Sequence, residues 1–225
     1  MSEFYLIRHG QASFAAENYD KLSPLGLQQA QWLGEYLCQR DMQFDGVICG
    51  DMVRHRETAE GICSGLGQPK ALITEPGLNE FDFKNIADAY LSVNPQQALA
   101  KDAQRADFYR LLKKAMMAWS AGQLADQELY ESWSDFRARV KAALEQICSC
   151  YYGKRVLVVS SGGAIAMLLS LVLDLDAKRL INLNMQVKNA SFSHFYFNQH
   201  SVSLSSFNNV PHLDQPERIG AVTFS

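Results

Sequence analysis

Four short stretches of the sequence gather residue types that handle anions. Arg8-His9-Gly10 sets a cation, an imidazole and a glycine side by side. A neutral imidazole is a competent nucleophile near neutral pH. A guanidinium fork matches phosphate oxygens, and a glycine lets the backbone turn tightly against a ligand. Gly50-Asp51-Met52-Val53-Arg54 brings a second arginine to what reads as a helix start, where unpaired N–H groups attract anions. Leu78-Asn79-Glu80 ends on a carboxyl group set between Leu78 and Phe81, an apolar setting in which an acid keeps its proton more readily. Ser160-Ser161-Gly162-Gly163 offers hydroxyls and backbone N–H groups but no cation. Taken singly, each has an ordinary reading: a satisfied loop histidine, a capped helix with a solvated arginine, a surface glutamate, a structural glycine turn.

What joins the four is their place relative to the elements around them. Residues 4–7, 47–49, 71–74 and 156–160 are short apolar runs of the kind buried in central strands, and each stretch follows one of them. Ser23-Pro24 reads as N-cap and first residue of a helix to about Arg40, with Leu27, Ala30, Leu33 and Leu37 on its apolar face. Asp51 is expected to cap a helix that glycines stop near Gly65. Residues 86–151 are largely helical in pattern, with 107–119 and 132–150 the longer pieces and breaks at Asn94-Pro95 and near Gly122. Gly162-Gly163 opens a buried helix, and strands at 190–197 and 201–207 suggest a closing hairpin. This order predicts an α/β fold, a three-layer α/β/α sandwich on a mostly parallel, mixed sheet. One domain over 1–225 is expected, with a helical insertion at about 81–132 that could serve as a lid. In such sheets ligands bind outside the carboxyl ends of the strands, where the four stretches fall.

The bulk composition narrows the function classes. With 48% hydrophobic and 20% charged residues in 225, the chain reads as an ordinary globular protein. A net charge of −3 gives no reason to expect a nucleic-acid partner. The apolar start ends at Arg8, too early for a signal peptide, and the longest apolar run, 164–173, is too short to cross a membrane. Five scattered cysteines suggest neither a disulfide framework nor a zinc site, so a cytoplasmic, reduced protein without membrane association is expected.

The ordered motifs also resemble one family. Arg8-His9-Gly10, Leu22-Ser23-Pro24-Leu25-Gly26 with Gln29-Ala30, Asp51 with Arg54 and Thr58-Ala59, Glu80, and residues 158–163 look like the histidine phosphatase superfamily, which holds the phosphoglycerate mutases and related phosphatases. Glu131-Ser132-Trp133 leading to Arg139-Val140, and residues 208–213, look like further landmarks of it. The resemblance implies that His9 is the nucleophile and forms a phosphohistidine. It implies that Arg8 and Arg54 clamp the phosphoryl oxygens and that Glu80 protonates the leaving group, then activates water. It implies no metal and no organic cofactor, and a small phosphorylated substrate or a phosphoprotein as partner. Phosphoryl transfer needs mainly in-line positioning and charge stabilisation, which these residue types supply.

The sequence departs from the pattern at one point. Where family members usually place a second histidine before the late Gly-Gly, this chain has Ser161, which with the Gly162 N–H could bind a phosphoryl oxygen but carries no charge. Losing one preorganised donor typically costs about 10²–10³ in rate. His55 follows Arg54 directly, and consecutive helical residues point about 100° apart, so it is not expected to aim at the same phosphate. His194, His200 and His212 are read as ordinary or structural. Two readings follow: a metal-independent phosphatase, or a weakly active or inactive member that binds a phosphate ligand in a regulatory role. A mutase ranks last, because Gln11-Ala12-Ser13-Phe14-Ala15 stands where the mutase motif carries an asparagine. Phe83, Lys84, Tyr90, Phe108, Tyr109 and Arg110 in the insertion are read as core and surface rather than as a lid. Substrate identity and oligomeric state are left open.

Overall fold

A computed structural model describes residues 2–13, 20–100, 102–125 and 128–224. Four strands, β1 (Ser2–Arg8), β2 (Gly46–Cys49), β3 (Leu72–Thr74) and β4 (Arg155–Ser160), pair in parallel, and β5 (Phe192–Phe197) and β6 (Val202–Asn209) add an antiparallel hairpin. The sheet order is β3-β2-β4-β1-β5-β6. Helices cover both faces, as continuous apolar strands require. Ile7, Val47, Cys49, Leu157 and Val159 point to one side, beneath α1 (Pro24–Cys38) and α2 (Val53–Leu66). Phe4, Leu6, Ile48, Val156 and Val158 point to the other. That side packs under α3 (Phe83–Val93), α4 (Arg105–Ser120), α5 (Trp133–Cys150), α6 (Gly162–Leu173) and α7 (Ala177–Asn184).

Local chemistry explains the helix limits. Ser23 caps α1, its hydroxyl accepting from the Gly26 N–H at 3.0 Å, with Pro24 in the first turn. The buried stripe of α1 runs through Ala30, Leu33, Gly34 and Leu37, whereas Leu27 faces outward. Gly34 and Gly65 let α1 and α2 touch backbone to backbone, since a Cβ on either would overlap the facing helix. Gly65 therefore lies inside α2, and Gly67, left-handed at φ 68°, ends the helix. Asp51 does not cap α2. The N-cap is Met52, and Asp20 Oδ2 accepts from the Val53 N–H at 2.8 Å. The eight-residue α7, capped by Asp176, has no counterpart in the sequence reading. The closing hairpin forms as expected, two residues late at its start and two longer at its end.

Strand register places the site. Arg8 pairs with Ser160 and Cys49 with Val159, and the pairing continues one residue further, with His9 N–H donating to Ser160 C=O at 2.9 Å and Gly50 N–H to Val159 C=O at 3.2 Å. His9, Gly50 and Ser161 thus leave three adjacent strands at the same edge.

Candidate active site

At that edge Arg8, His9, Arg54 and Glu80 line one cavity of about 680 Å³. His9 is buried, and its Nδ1 lies 2.7 Å from the Gly10 carbonyl oxygen. A carbonyl only accepts, so Nδ1 carries the proton and Nε2 keeps the lone pair. Burial first, then the charges of Arg54 and Arg8 and the nearby His55, holds the His9 pKa well below that of an ordinary histidine. The imidazole is therefore neutral at pH 7.

The loop behind His9 is closely fitted. The Gly10 N–H donates to Thr58 Oγ1 at 3.1 Å, and the same hydroxyl donates to the Arg54 carbonyl at 2.7 Å, joining the first loop to α2. A side chain on Gly10 would overlap the Gly26 backbone, which gives Ser23-Pro24-Leu25-Gly26 a physical role. Gln29 accepts from the Gln11 N–H at 2.8 Å and donates to Ala221 C=O at 2.7 Å. This draws the C-terminal tail toward the cavity, where Val222, Thr223 and Phe224 join its lining. Arg8 Nη1 donates to the carbonyls of Val187 and Phe224. The sequence reading used no residue beyond 213 and so missed this wall.

Arg54 pairs with Asp20, Nη1 to Oδ1 at 2.7 Å, and the other Asp20 oxygen holds the start of α2. Asp20 is not among the residues that line the cavity, and the sequence reading did not single it out. Glu80 accepts from the Gly163 N–H at 3.0 Å and from the Phe81 N–H at 3.2 Å. A Cβ on Gly163 would overlap Glu80 and Phe81, so this glycine admits the acid. Arg139 braces the loop before Glu80, donating to Gly77 C=O at 3.1 Å and Asn79 C=O at 2.7 Å while paired with Glu131 at 2.5 Å. The Glu131 and Arg139 landmarks thus position Glu80.

Ser161 and Gly162 are buried behind the lining, not part of it. Ser161 is the N-cap of α6 but makes no capping bond. Its Oγ lies 2.7 Å from His55 Nε2 and 3.4 Å from Arg54 Nη2. His55 is fully buried, with its ring centroid 5.8 Å from that of His9. Burial, then Arg54, holds its pKa well below the usual value. His55 is not expected to aim at the same phosphate as Arg54, and it does not line the cavity. The 100° offset is real, but Ser161 lies where the turned ring can reach it.

Beyond the anion end the cavity is walled by Phe81, Phe83, Phe108, Tyr109 and Leu112, with Arg110 and Lys113 beside them. Four of the six insertion residues read as core or surface, Phe83, Phe108, Tyr109 and Arg110, therefore face the site, and Lys84 and Tyr90 do not line it. Among the described residues no cluster of three or more His, Cys, Asp or Glu side chains could hold a metal ion, and no helix is long and apolar enough to cross a membrane.

The histidine phosphatase superfamily (branch 1) family model matches residues 4–210. A relative from Erwinia tasmaniensis named "Probable phosphoglycerate mutase GpmB" is 28% identical over 86% of this chain and 84% of its own length. Phosphoglycerate mutase from Bacillus anthracis superposes with a TM-score of 0.67 at 21% identity, covering 94% of both chains. Phosphoserine phosphatase from Entamoeba histolytica, solved with 3-phosphoglyceric acid, gives 0.65 at 20% identity over 95% of this chain and all of that one. With its motifs in order and nearly its full length matched, the chain belongs to the histidine phosphatase superfamily.

Proposed function

We propose that this protein is a metal-independent phosphatase of small phosphomonoesters with an apolar body. The observation that carries the reading is the His9 ring, neutral, locked by Gly10 with Nε2 as its nucleophilic nitrogen, in a cavity it shares with Arg8, Arg54 and Glu80. His9 Nε2 attacks phosphorus as the ester P–O bond breaks. The arginines take up charge on the equatorial oxygens, and Glu80 gives its proton to the departing alkoxide. Water then attacks the phosphohistidine, Glu80 takes the water proton, and inorganic phosphate leaves with His9 neutral again. Buried N–H donors fix Glu80 in one place for both proton transfers.

The aromatic wall favours a compact ester with an apolar or aryl group over a protein segment, because a cavity of this size encloses a small ligand. The relatives and neighbours include both mutases and phosphatases by name, and their own substrates do not pass to this chain. The test is turnover of 1-naphthyl phosphate and glycerol phosphate, with trapping of the enzyme by denaturation in alkali. Wild type should prefer the aryl ester and yield an acid-labile, base-stable phosphoenzyme. His9→Ala should lose both, at least about 10⁴-fold in turnover, since among the described residues no other imidazole lines the cavity. Retained turnover in His9→Ala, or transfer of the phosphoryl group between positions of one substrate without release of phosphate, would defeat the proposal.

A further inference from the structure

We propose that His55 is a positioning residue for phosphoryl transfer, donating its Nε2–H to Ser161 Oγ so that the serine hydroxyl proton turns toward the bound phosphoryl group. This rests on the phosphatase reading above. It assigns the work of the absent second histidine to a pair on two different helices.

The geometry narrows the hydrogen bonding to one arrangement. His55 Nδ1 is buried and has no hydrogen-bond partner among the described residues. A proton there would be a buried N–H donor with no acceptor, which is rarer and costlier than a bare ring nitrogen. The proton therefore belongs on Nε2, 2.7 Å from Ser161 Oγ. Arg54 Nη2, at 3.4 Å, is a second donor aimed at the same oxygen. Two donors fill the two lone pairs of Oγ. The serine proton cannot then point at either partner; Ser161 does not itself line the cavity, but Arg54 does, so the acceptor left for the proton is a phosphoryl oxygen that Arg54 holds at the cavity wall.

Ser161 is also withheld from the work its position suggests. A serine at an N-cap normally accepts from the second or third N–H of its helix. In α6 the Gly163 N–H goes instead to Glu80 at 3.0 Å, and the Ser161 hydroxyl turns the other way. Room for the His55 ring comes from Gly50, since a Cβ there would overlap His55 Nδ1 and Asn79 Oδ1. Gly50, His55 and Ser161 thus depend on one another across β2, α2 and the start of α6. A neutral donor also spares His9 a third buried positive charge beside Arg8 and Arg54, and burial with Arg54 nearby keeps His55 neutral.

The experiment compares His55→Leu, His55→Gln, Ser161→Ala and the double variant His55→Leu/Ser161→Ala on p-nitrophenyl phosphate. It adds calorimetric titration with vanadate, which reads the anion site without turnover. Leucine keeps the bulk but removes the donor, and glutamine returns an N–H near the position of Nε2. The expected result is a fall in kcat of about 10²-fold in His55→Leu with KM within about threefold, the range for loss of one preorganised donor. His55→Gln should recover at least tenfold of it. Ser161→Ala should lose as much as His55→Leu, and the double variant no more than either, because both act through one hydroxyl. Vanadate affinity should follow the same order. Should His55→Leu fail to fold, Ser161→Ala and His55→Gln carry the test. Unchanged kcat and vanadate affinity in Ser161→Ala, a glutamine variant no better than leucine, or losses that multiply in the double variant would overturn the proposal. Vanadate affinities in the expected order across the variants, with no ester turned over by the wild type, would overturn the phosphatase reading and leave His55 and Ser161 as a pair that serves anion binding alone.

Discussion

Helices α2 and α6 begin just beyond neighbouring parallel strands, β2 and β4, and their first turns meet where Arg54 and His55 reach Ser161. Each N-terminus is already filled by a carboxylate from elsewhere, Asp20 on the Val53 N–H and Glu80 on the Gly163 N–H. The attraction of a helix start for negative charge accounts for both. The side chains differ sharply. The first turn of α2 carries Arg54, His55 and Arg56, whereas that of α6 carries Gly162, Gly163 and Ala164. One helix supplies charge and donors, and the other supplies space, letting Glu80, Phe81, Asn184 and Arg8 approach its backbone. Substitutions on α2 should therefore act by removing an interaction, and those on α6 by adding bulk.

The largest effect expected from this contrast is that of Arg54→Ala. It removes a charged fork from the phosphoryl oxygens and the cation opposite the Asp20 carboxylate. Loss of an arginine that stabilises transferring phosphoryl charge is worth about 10³-fold or more. The variant should lose that much in kcat/KM on an aryl phosphate, and Asp20→Asn/Arg54→Ala should regain part of it. A loss below tenfold would mean that α2 does not supply the working cation.

A smaller effect, and of opposite sign to one of two sequence expectations, belongs to Ser161→His. From sequence alone, restoring a histidine promises a faster enzyme if the pocket merely lacks a cation, and no gain if the serine itself binds a phosphoryl oxygen. The Ser161 side chain is fully buried, and the His55 ring already occupies the space in front of it. Overfilling a packed interior typically costs about 1–3 kcal/mol. The single variant should be slower than wild type and melt lower. Adding His55→Ala should restore stability by freeing the volume. A single variant that is faster and equally stable would show that α6 tolerates bulk and would break the contrast.

The limits of the sequence reading follow from the same geometry. The placement of His9, Arg54 and Glu80 at one cavity was legible because strand ends share one edge. Asp20 was not, since nothing in the spacing of residues 20 and 53 ties a loop aspartate to a helix start. The contact of His55 with Ser161 was not legible, because angular spacing on one helix says where a ring cannot point but not what lies where it does. The aromatics of α3 and α4 were discounted because helical spacing fits a core and a cavity wall equally well. The tail at 222–224 was passed over because short loop segments carry no periodicity.

The smallest effect concerns a histidine that shares the burial of His55 but none of its neighbours at the site. His212 is fully buried, and neither ring nitrogen has a hydrogen-bond partner among the described residues. Burial, then Arg218, pushes its pKa down to about 3. In the unfolded chain it should titrate near the ordinary value of about 6.5. Between these values the unfolded state binds a proton that the folded state refuses. Stability from the neutral ring is therefore fully present above about pH 6.5 and is lost as pH falls toward about 3, at up to about 1.4 kcal/mol per pH unit. His9 and His55, also held well below the usual value, add to the loss with the same sign. His212→Leu should remove about one proton from this dependence. Urea unfolding at pH 7, 5.5 and 4.5 should show the variant gaining on wild type as the pH falls, with turnover at pH 7 unchanged because His212 does not line the cavity. The same experiment on His55→Leu should show a similar gain in acid together with lost turnover, separating a histidine that is only buried from one that also serves the site. Parallel stability curves for His212→Leu and wild type would mean that the ring takes up its proton in the folded state.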